Sequence, residues 1–157
     1  MHINKYQKIF GVGPVSMLIG LVMFSLLWLL DRELGHVEIL SQPGVVRTIG
    51  FILIAAWICW HIWCARTIFS WFENDQLCTT GPYRLVRHPM YTGVILLGSL
   101  GVCLLFNSWI ILLLPVIMYA IFFFMVRKEE AMMKAVFGEK YQSYAAHTGR
   151  LCPRFFR

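Results

Sequence analysis

Four stretches of this chain are apolar for long enough to cross a membrane as helices, and that feature excludes most folds open to 157 residues. A helix needs ~20 mostly apolar residues to span the hydrocarbon core. Pro14 to Leu30, Val45 to Cys64, Pro89 to Phe106 and Trp109 to Val126 come close to or reach that length. Alternating segments of ~10 residues, the pattern of a membrane barrel, do not occur. With 59% hydrophobic and only 14% charged residues, and a mean hydropathy of +0.66, the chain is too apolar for a soluble domain of its size. The expected fold is an all-α integral membrane domain covering residues 1–157, with helices at about 14–30, 45–66, 89–106 and 108–128 and a cytoplasmic tail at 129–157 that carries one more helix.

The first apolar window is too long for the h-region of a cleavable signal peptide, and no small-x-small site follows it. It is expected to remain in the mature protein. Twelve lysines and arginines fall before helix 1, between helices 2 and 3, or after helix 4, against Arg32 and Arg47 in the first loop. Such a bias places both termini in the cytoplasm. The net charge of +6 is then a topology signal that also suits anionic lipid surfaces, and no nucleic-acid partner is expected. Cys59, Cys64 and Cys103 lie in apolar helices as small hydrophobes, while Cys78 and Cys152 are expected to face the reducing cytoplasm. No CxxC spacing occurs, so neither a disulfide framework nor a metal site is expected.

The N-terminal dozen residues, with Lys5, Tyr6, Lys8 and Phe10, read as an interfacial lead-in to helix 1. Helix 2 is aromatic towards its cytoplasmic end, with Trp57, Trp60 and Trp63, and His61 sits about one turn inside that boundary. An ionisable residue within a span points to function, and an imidazole bonded to a neighbouring carbonyl explains it as well. Residues 73–80 form a polar connector.

Next comes Gly81 to Gly93, GPYRLVRHPMYTG, which sets two arginines, a histidine, two tyrosines and two prolines against the start of helix 3. Pro89 fits a first helical turn, where its missing N–H costs nothing, and biases His88 away from helical geometry. Arg87 and His88 are thereby held at the helix mouth, where unpaired N–H groups favour an anion. Along helix 3, Tyr91, Val94, Gly98 and Gly101 share one face, either for close helix packing or for a ligand. Pro115 within helix 4 suggests a kink. An antiparallel helix 3–helix 4 hairpin brings Arg84, Arg87, His88 and Tyr91 to the same rim as Arg127, Glu129 and Glu130. Guanidinium suits carboxylate or phosphate and a carboxylate suits ammonium or ribose hydroxyl, so a ligand carrying both kinds of group fits there.

Gly81-Pro82-Tyr83, Arg87-His88-Pro89-x-Tyr91-x-Gly93, Arg127-x-Glu129-Glu130, Phe137-Gly138-x-x-Tyr141-x-x-Tyr144 and Pro153 together resemble the isoprenylcysteine carboxyl methyltransferase and phospholipid methyltransferase superfamily of integral membrane enzymes. The resemblance spans residues 81–153. It implies an S-adenosylmethionine-dependent methyltransferase without a Rossmann domain, and no glycine-rich dinucleotide fingerprint is present. It further implies cofactor-binding roles for His88, Tyr91, Gly93, Gly98, Glu129, Glu130 and Tyr141. Catalytic roles fall to Arg87, Arg127 and Glu129, and a lipid or lipidated acceptor enters from the bilayer. An isoprenylcysteine-type carboxylate is the first acceptor class, with phospholipid amines and thiols as alternatives. A non-catalytic membrane lipid-binding protein is the reading from another class. A helix over 129–147 with a bend at Gly138 forms a lid in this scheme, and the tail LCPRFFR rests on an anionic leaflet.

Overall fold

The computed structural model describes residues 13–72 and 76–154. Lys5, Tyr6, Lys8 and Phe10, the start of the polar connector at 73–75, and Phe155, Phe156 and Arg157 of the basic tail lie outside the described residues. Helix α1 is Gly13–Glu33, α2 is Pro43–Phe72, α3 is the single turn Pro82–Leu85, and α4 is Pro89–Phe106. Helix α5 is Leu113–Phe137 and α6 is Glu139–His147. Among the described residues the only extended pairings are two isolated bridges, Glu38 with Ser108 and Val86 with Gly149.

Among the described residues three helices are long and apolar enough to cross a membrane, namely α1, Pro43–Trp71 of α2, and α4. In α1 and α2 only 17% and 11% of the apolar window is buried within the chain, against 50% in α4. The two outer helices thus turn residues such as Leu18 and Phe51 outward, which is stable against lipid and not against water. Helix α4 is the central element. It packs on α2, α5 packs on it, and α1 lies against α5.

The fourth apolar window folds later and runs further than expected. Asn107 ends α4 in a left-handed conformation (φ 52°), and Ser108 Oγ then accepts the N–H groups of Ile110 and Ile111, which holds 109–112 as a turn. Helix α5 therefore starts at Leu113 and not at 108. Pro115 falls in its first turn, where a proline displaces no hydrogen bond, so a kink there has no cause. The helix continues through Arg127, Lys128, Glu129 and Glu130 to Phe137, so the tail helix expected over 129–147 is split between α5 and α6. The break is at Gly138, whose φ of 54° favours glycine.

Helix α4 contains a π-helical segment, Val94–Ser99. Its wider turn breaks the three- and four-residue register along the helix. Tyr91 and Val94 face the interior of the bundle near Phe122, while Gly98 and Gly101 turn to α2. A Cβ on Gly101 would meet Ile54 at 2.8 Å, one on Gly50 would meet the backbone nitrogen of Leu105 at 2.9 Å, and one on Gly98 would press on the Trp57 ring at 3.2 Å. Gly98 and Gly101 thus serve close packing of α2 on α4, the common use of small residues between membrane helices.

Residues 148–151 return from α6 to lie along the stretch before α4. Arg87 N–H donates to Gly149 O at 2.8 Å, His88 N–H to Arg150 O at 3.2 Å, and Thr92 Oγ1 to Leu151 O at 2.8 Å. Leu151 is buried in the main core beside Phe122 and Val94, so this part of the tail is an internal strap and does not rest on a leaflet.

Candidate functional site

Pro82 and Pro89 open two short helical turns on either side of Val86, whose extended backbone pairs with Gly149. That geometry sets Arg87 and His88 side by side, with Arg87 towards the strap and His88 towards α5. Arg87 Nε donates to Glu130 Oε1 at 2.9 Å and its NH2 lies 2.8 Å from the same oxygen. Its NH1 donates to Ala145 O at 2.9 Å and also to Thr148 O. Arg150 closes the pair from the other side, with NH2 2.5 Å from Glu130 Oε2. Burial pushes the Glu130 carboxyl up, and hydrogen bonds from His88, Arg150 and Arg87 outweigh it and hold it down at about 2. Glu130 and Arg87 are therefore committed to each other and to the strap.

Glu129 faces the other way. Tyr91 Oη donates to its Oε1 at 2.6 Å and His88 Nδ1 lies 3.4 Å from its Oε2. His88 Nε2 is 3.4 Å from Glu130, so the imidazole bridges the two carboxylates. Burial pushes the His88 imidazole down, but Glu129 and Glu130 outweigh it and raise it above its ordinary value. The His88 ring stacks on Tyr91 at 5.7 Å and Tyr91 on Phe122 at 4.5 Å, forming a slab of three rings beneath Glu129.

Beside this slab lies a cavity of about 550 Å³, walled by α1, α2, α4, α5 and α6. His88, Tyr91, Glu129 and Tyr141 line it, together with Trp57 and His61 of α2 and Met132, Met133 and Phe137 of α5. Its size is that of a small-molecule site, and its walls are mostly apolar with a few polar groups at one end. Among the lining residues, Trp57 Nε1, His88 Nε2 and Tyr141 Oη are buried and have no hydrogen-bond partner among the described residues. A buried donor left unmade is costly, so a ligand that accepts from it recovers that loss.

Not every expected site residue comes to this cavity. Arg127 is exposed, with its guanidinium over the rings of Phe123 and Phe124 at 5.0 and 5.2 Å, and it does not line the cavity. Gly93 and Gly98 face α2; a Cβ on Gly93 would meet Trp60 Cδ1 at 2.5 Å and His61 Cε1 at 3.3 Å. Arg87 lines the cavity, yet its donors point to Glu130, Ala145 and Thr148. Cys78, expected to face the reducing cytoplasm, is buried against Cys64 and Tyr83. All five cysteines are free. Among the described residues no group of three His, Cys, Asp or Glu side chains could hold a metal ion. The strap was missed altogether, because single backbone carbonyls at 145 and 148–151 leave no mark in side-chain patterns. Gly149 was the available signal, since a Cβ there would lie 1.8 Å from Cys152 O.

Residues 43–140 match the phospholipid methyltransferase family, and this range contains the RHP turn, both glutamates and most of the cavity wall. The chain belongs to that family. It is also 32% identical over 111 residues to the cobalt-zinc-cadmium resistance protein CzcN of Cupriavidus metallidurans, an alignment covering 70% of this chain and 50% of that protein. It is 30% identical over 115 residues to the nickel-cobalt-cadmium resistance protein NccN of Alcaligenes xylosoxydans xylosoxydans, covering 71% and 51%. The chain thus spans about half the length of these curated relatives. No solved structure matches.

Family members of this kind carry out methyl transfer from S-adenosylmethionine, and the residues present fit that group. The Glu129 carboxylate suits an ammonium or ribose hydroxyl, the ring slab offers faces to a sulfonium and to adenine, and the Tyr141 and Trp57 donors suit its carboxylate and ring nitrogens.

Proposed function

We propose that this chain is an integral membrane methyltransferase that uses S-adenosylmethionine and modifies a hydrophobic or lipid-like acceptor reaching the cavity from the bilayer. The observation that carries the reading is the cavity itself, in which aromatic and methionine walls from α2 and α5 run into a polar end built by His88, Tyr91 and Glu129. The twelve-to-two distribution of basic residues supports placing that end at the cytoplasmic face.

The cofactor supplies an electrophilic methyl group on a positively charged sulfur. The protein's residues bind and orient. Glu129 accepts hydrogen bonds from the cofactor's ammonium or ribose, with Tyr91 and His88 fixing its carboxylate in place. Arg87, Glu130 and Arg150 clamp α6 and the strap over the cytoplasmic end, which positions Tyr141 and excludes water. The apolar walls take the acceptor's tail, and alignment of the two reactants supplies much of the acceleration.

The test is methyl-labelled S-adenosylmethionine added to the full chain in nanodiscs with a prenylcysteine, a phospholipid amine and a long-chain thiol as acceptors. Transfer to a chain-bearing acceptor, and not to the same headgroup without its chain, is the expected result. Cofactor binding without transfer to any acceptor favours the lipid-binding alternative, and no cofactor binding overturns the reading.

A further inference from the structure

His61 lies on α2 and lines the cavity, away from the Arg87–Glu130 clamp, and no role above uses it. Its Nδ1 is 3.1 Å from Trp57 O. A carbonyl oxygen only accepts, so Nδ1 carries the proton and Nε2 is the ring atom with a lone pair to offer. No other hydrogen bond engages the ring among the described residues, and no carboxylate pairs with it there. The orientation is fixed twice more. The indole of Trp57 packs edge-on at 5.0 Å, and Gly93 leaves the opening on α4 into which the ring fits, since a Cβ there would sit 3.3 Å from Cε1.

We infer that His61 is the proton acceptor of the site, and that the acceptor it serves is a nucleophile carrying a proton, an amine or a thiol, in preference to a carboxylate. The inference rests on the methyltransferase reading. In the step it serves, the acceptor's nitrogen or sulfur lone pair forms the new bond to the methyl carbon. The carbon–sulfur bond of the S-adenosylmethionine sulfonium breaks with its electron pair remaining on sulfur, and the proton from the acceptor passes to His61 Nε2. A carboxylate acceptor has no proton to give and needs a cation to hold it; the lining guanidinium, Arg87, is already bound to Glu130 and two carbonyls.

Two measurements decide it. Nitrogen-15 NMR of ring-labelled histidine in the full chain should show the His61 tautomer protonated at Nδ1, with an Nε2 resonance that moves on addition of a long-chain amine and not of a long-chain carboxylate. An Nε2-protonated tautomer, or identical responses to the two amphiphiles, overturns the inference whatever the chain's activity. The variant His61→Asn retains an N–H for Trp57 O and lacks the distal nitrogen. It should lower kcat with an amine or thiol by roughly 10²–10⁴-fold while S-adenosylmethionine affinity stays within about twofold. His61→Gln, which places an amide near the Nε2 position, should be equally slow. A kcat within about twofold of wild type in both folded variants overturns the role while leaving the methyltransferase reading intact, and absent cofactor binding by wild type overturns that reading and this role with it.

Discussion

The bundle has a buried polar network at each end, and the two differ in what adjoins them. At the α1–α2 loop end, Asp31 accepts from Ser108 Oγ at 2.5 Å and lies 2.7 Å from His36 Nδ1, while the Asn107 side chain bonds both the N–H and the carbonyl of Leu40. Every contact there links one chain segment to another, and the cluster does not border the cavity beside Glu129. At the other end the Arg87–Glu130–Arg150 clamp is equally self-contained, but Glu129, His88 and Tyr141 stand on the wall of a cavity. A cluster of charges is therefore not what marks the site; unfilled space beside partly committed groups is. One end is a latch, and the other is a latch with a cavity on its inner side.

The comparison breaks most severely if the clamp is removed. Arg87→Ala leaves Glu130 buried with one guanidinium fewer and frees the carbonyls of Ala145 and Thr148. Loss of one partner of such a pair costs about 3–5 kcal/mol. A large drop in the thermal midpoint in detergent is expected, with protease cleavage appearing in α6 and the strap and cofactor binding lost. Arg87→Lys should restore little, because an ammonium cannot reproduce the fork.

At the opposite latch, Asp31→Asn weakens a buried hydrogen-bonded pair by about 1–3 kcal/mol. It lowers the thermal midpoint, yet the folded protein should bind S-adenosylmethionine with unaltered affinity. Glu129→Gln should act on binding, since it keeps the shape and removes the charge facing the cavity. Charge-assisted hydrogen bonds are worth about 1.5–3 kcal/mol, so cofactor binding should weaken by roughly 10- to 100-fold, alongside a loss of stability from the weakened pairing with His88 and Tyr91.

Titration reports on the clamp end. His88 is raised from an ordinary value of 6.5, so its contribution is fully present below that and is lost as pH rises through the folded value. Glu130 is lowered from 4.5 to about 2, so its contribution is present above 4.5 and is lost as pH falls towards 2. Stability measured across pH should therefore fall on the alkaline side, and His88→Gln should flatten that limb. The smallest effect is expected from Arg127→Ala, which removes an exposed cation–π contact worth about 0.5–1 kcal/mol and should leave cofactor affinity within about twofold.

Much of this was legible in the sequence. Apolar run length gave the membrane class and placed α1 and α4 within three residues, and the RHP and EE motifs brought His88, Tyr91 and Glu129 to one rim. Periodicity left Gly98 open to packing or to a ligand and the family resemblance implied a cofactor role, whereas the register altered by the π segment in α4 turns Gly98 to helix packing. Arg87 and Glu130 were read as ligand contacts because their charges are visible in sequence, whereas the carbonyls and Arg150 that occupy them become neighbours only through the returning strap. Arg127 shares the rim in sequence, but its position on α5 turns it outward onto Phe123 and Phe124.

On the proposed reading, the space beside Glu129 binds the methyl donor while the clamp beside it only holds the wall. Calorimetric titration of S-adenosylmethionine into the full chain in nanodiscs, for wild type, Glu129→Gln and Arg127→Ala, tests it directly. The expected result is one saturable site in wild type and Arg127→Ala, weakened at least tenfold in folded Glu129→Gln. Equal affinity in all three proteins, or no binding to wild type, would contradict it.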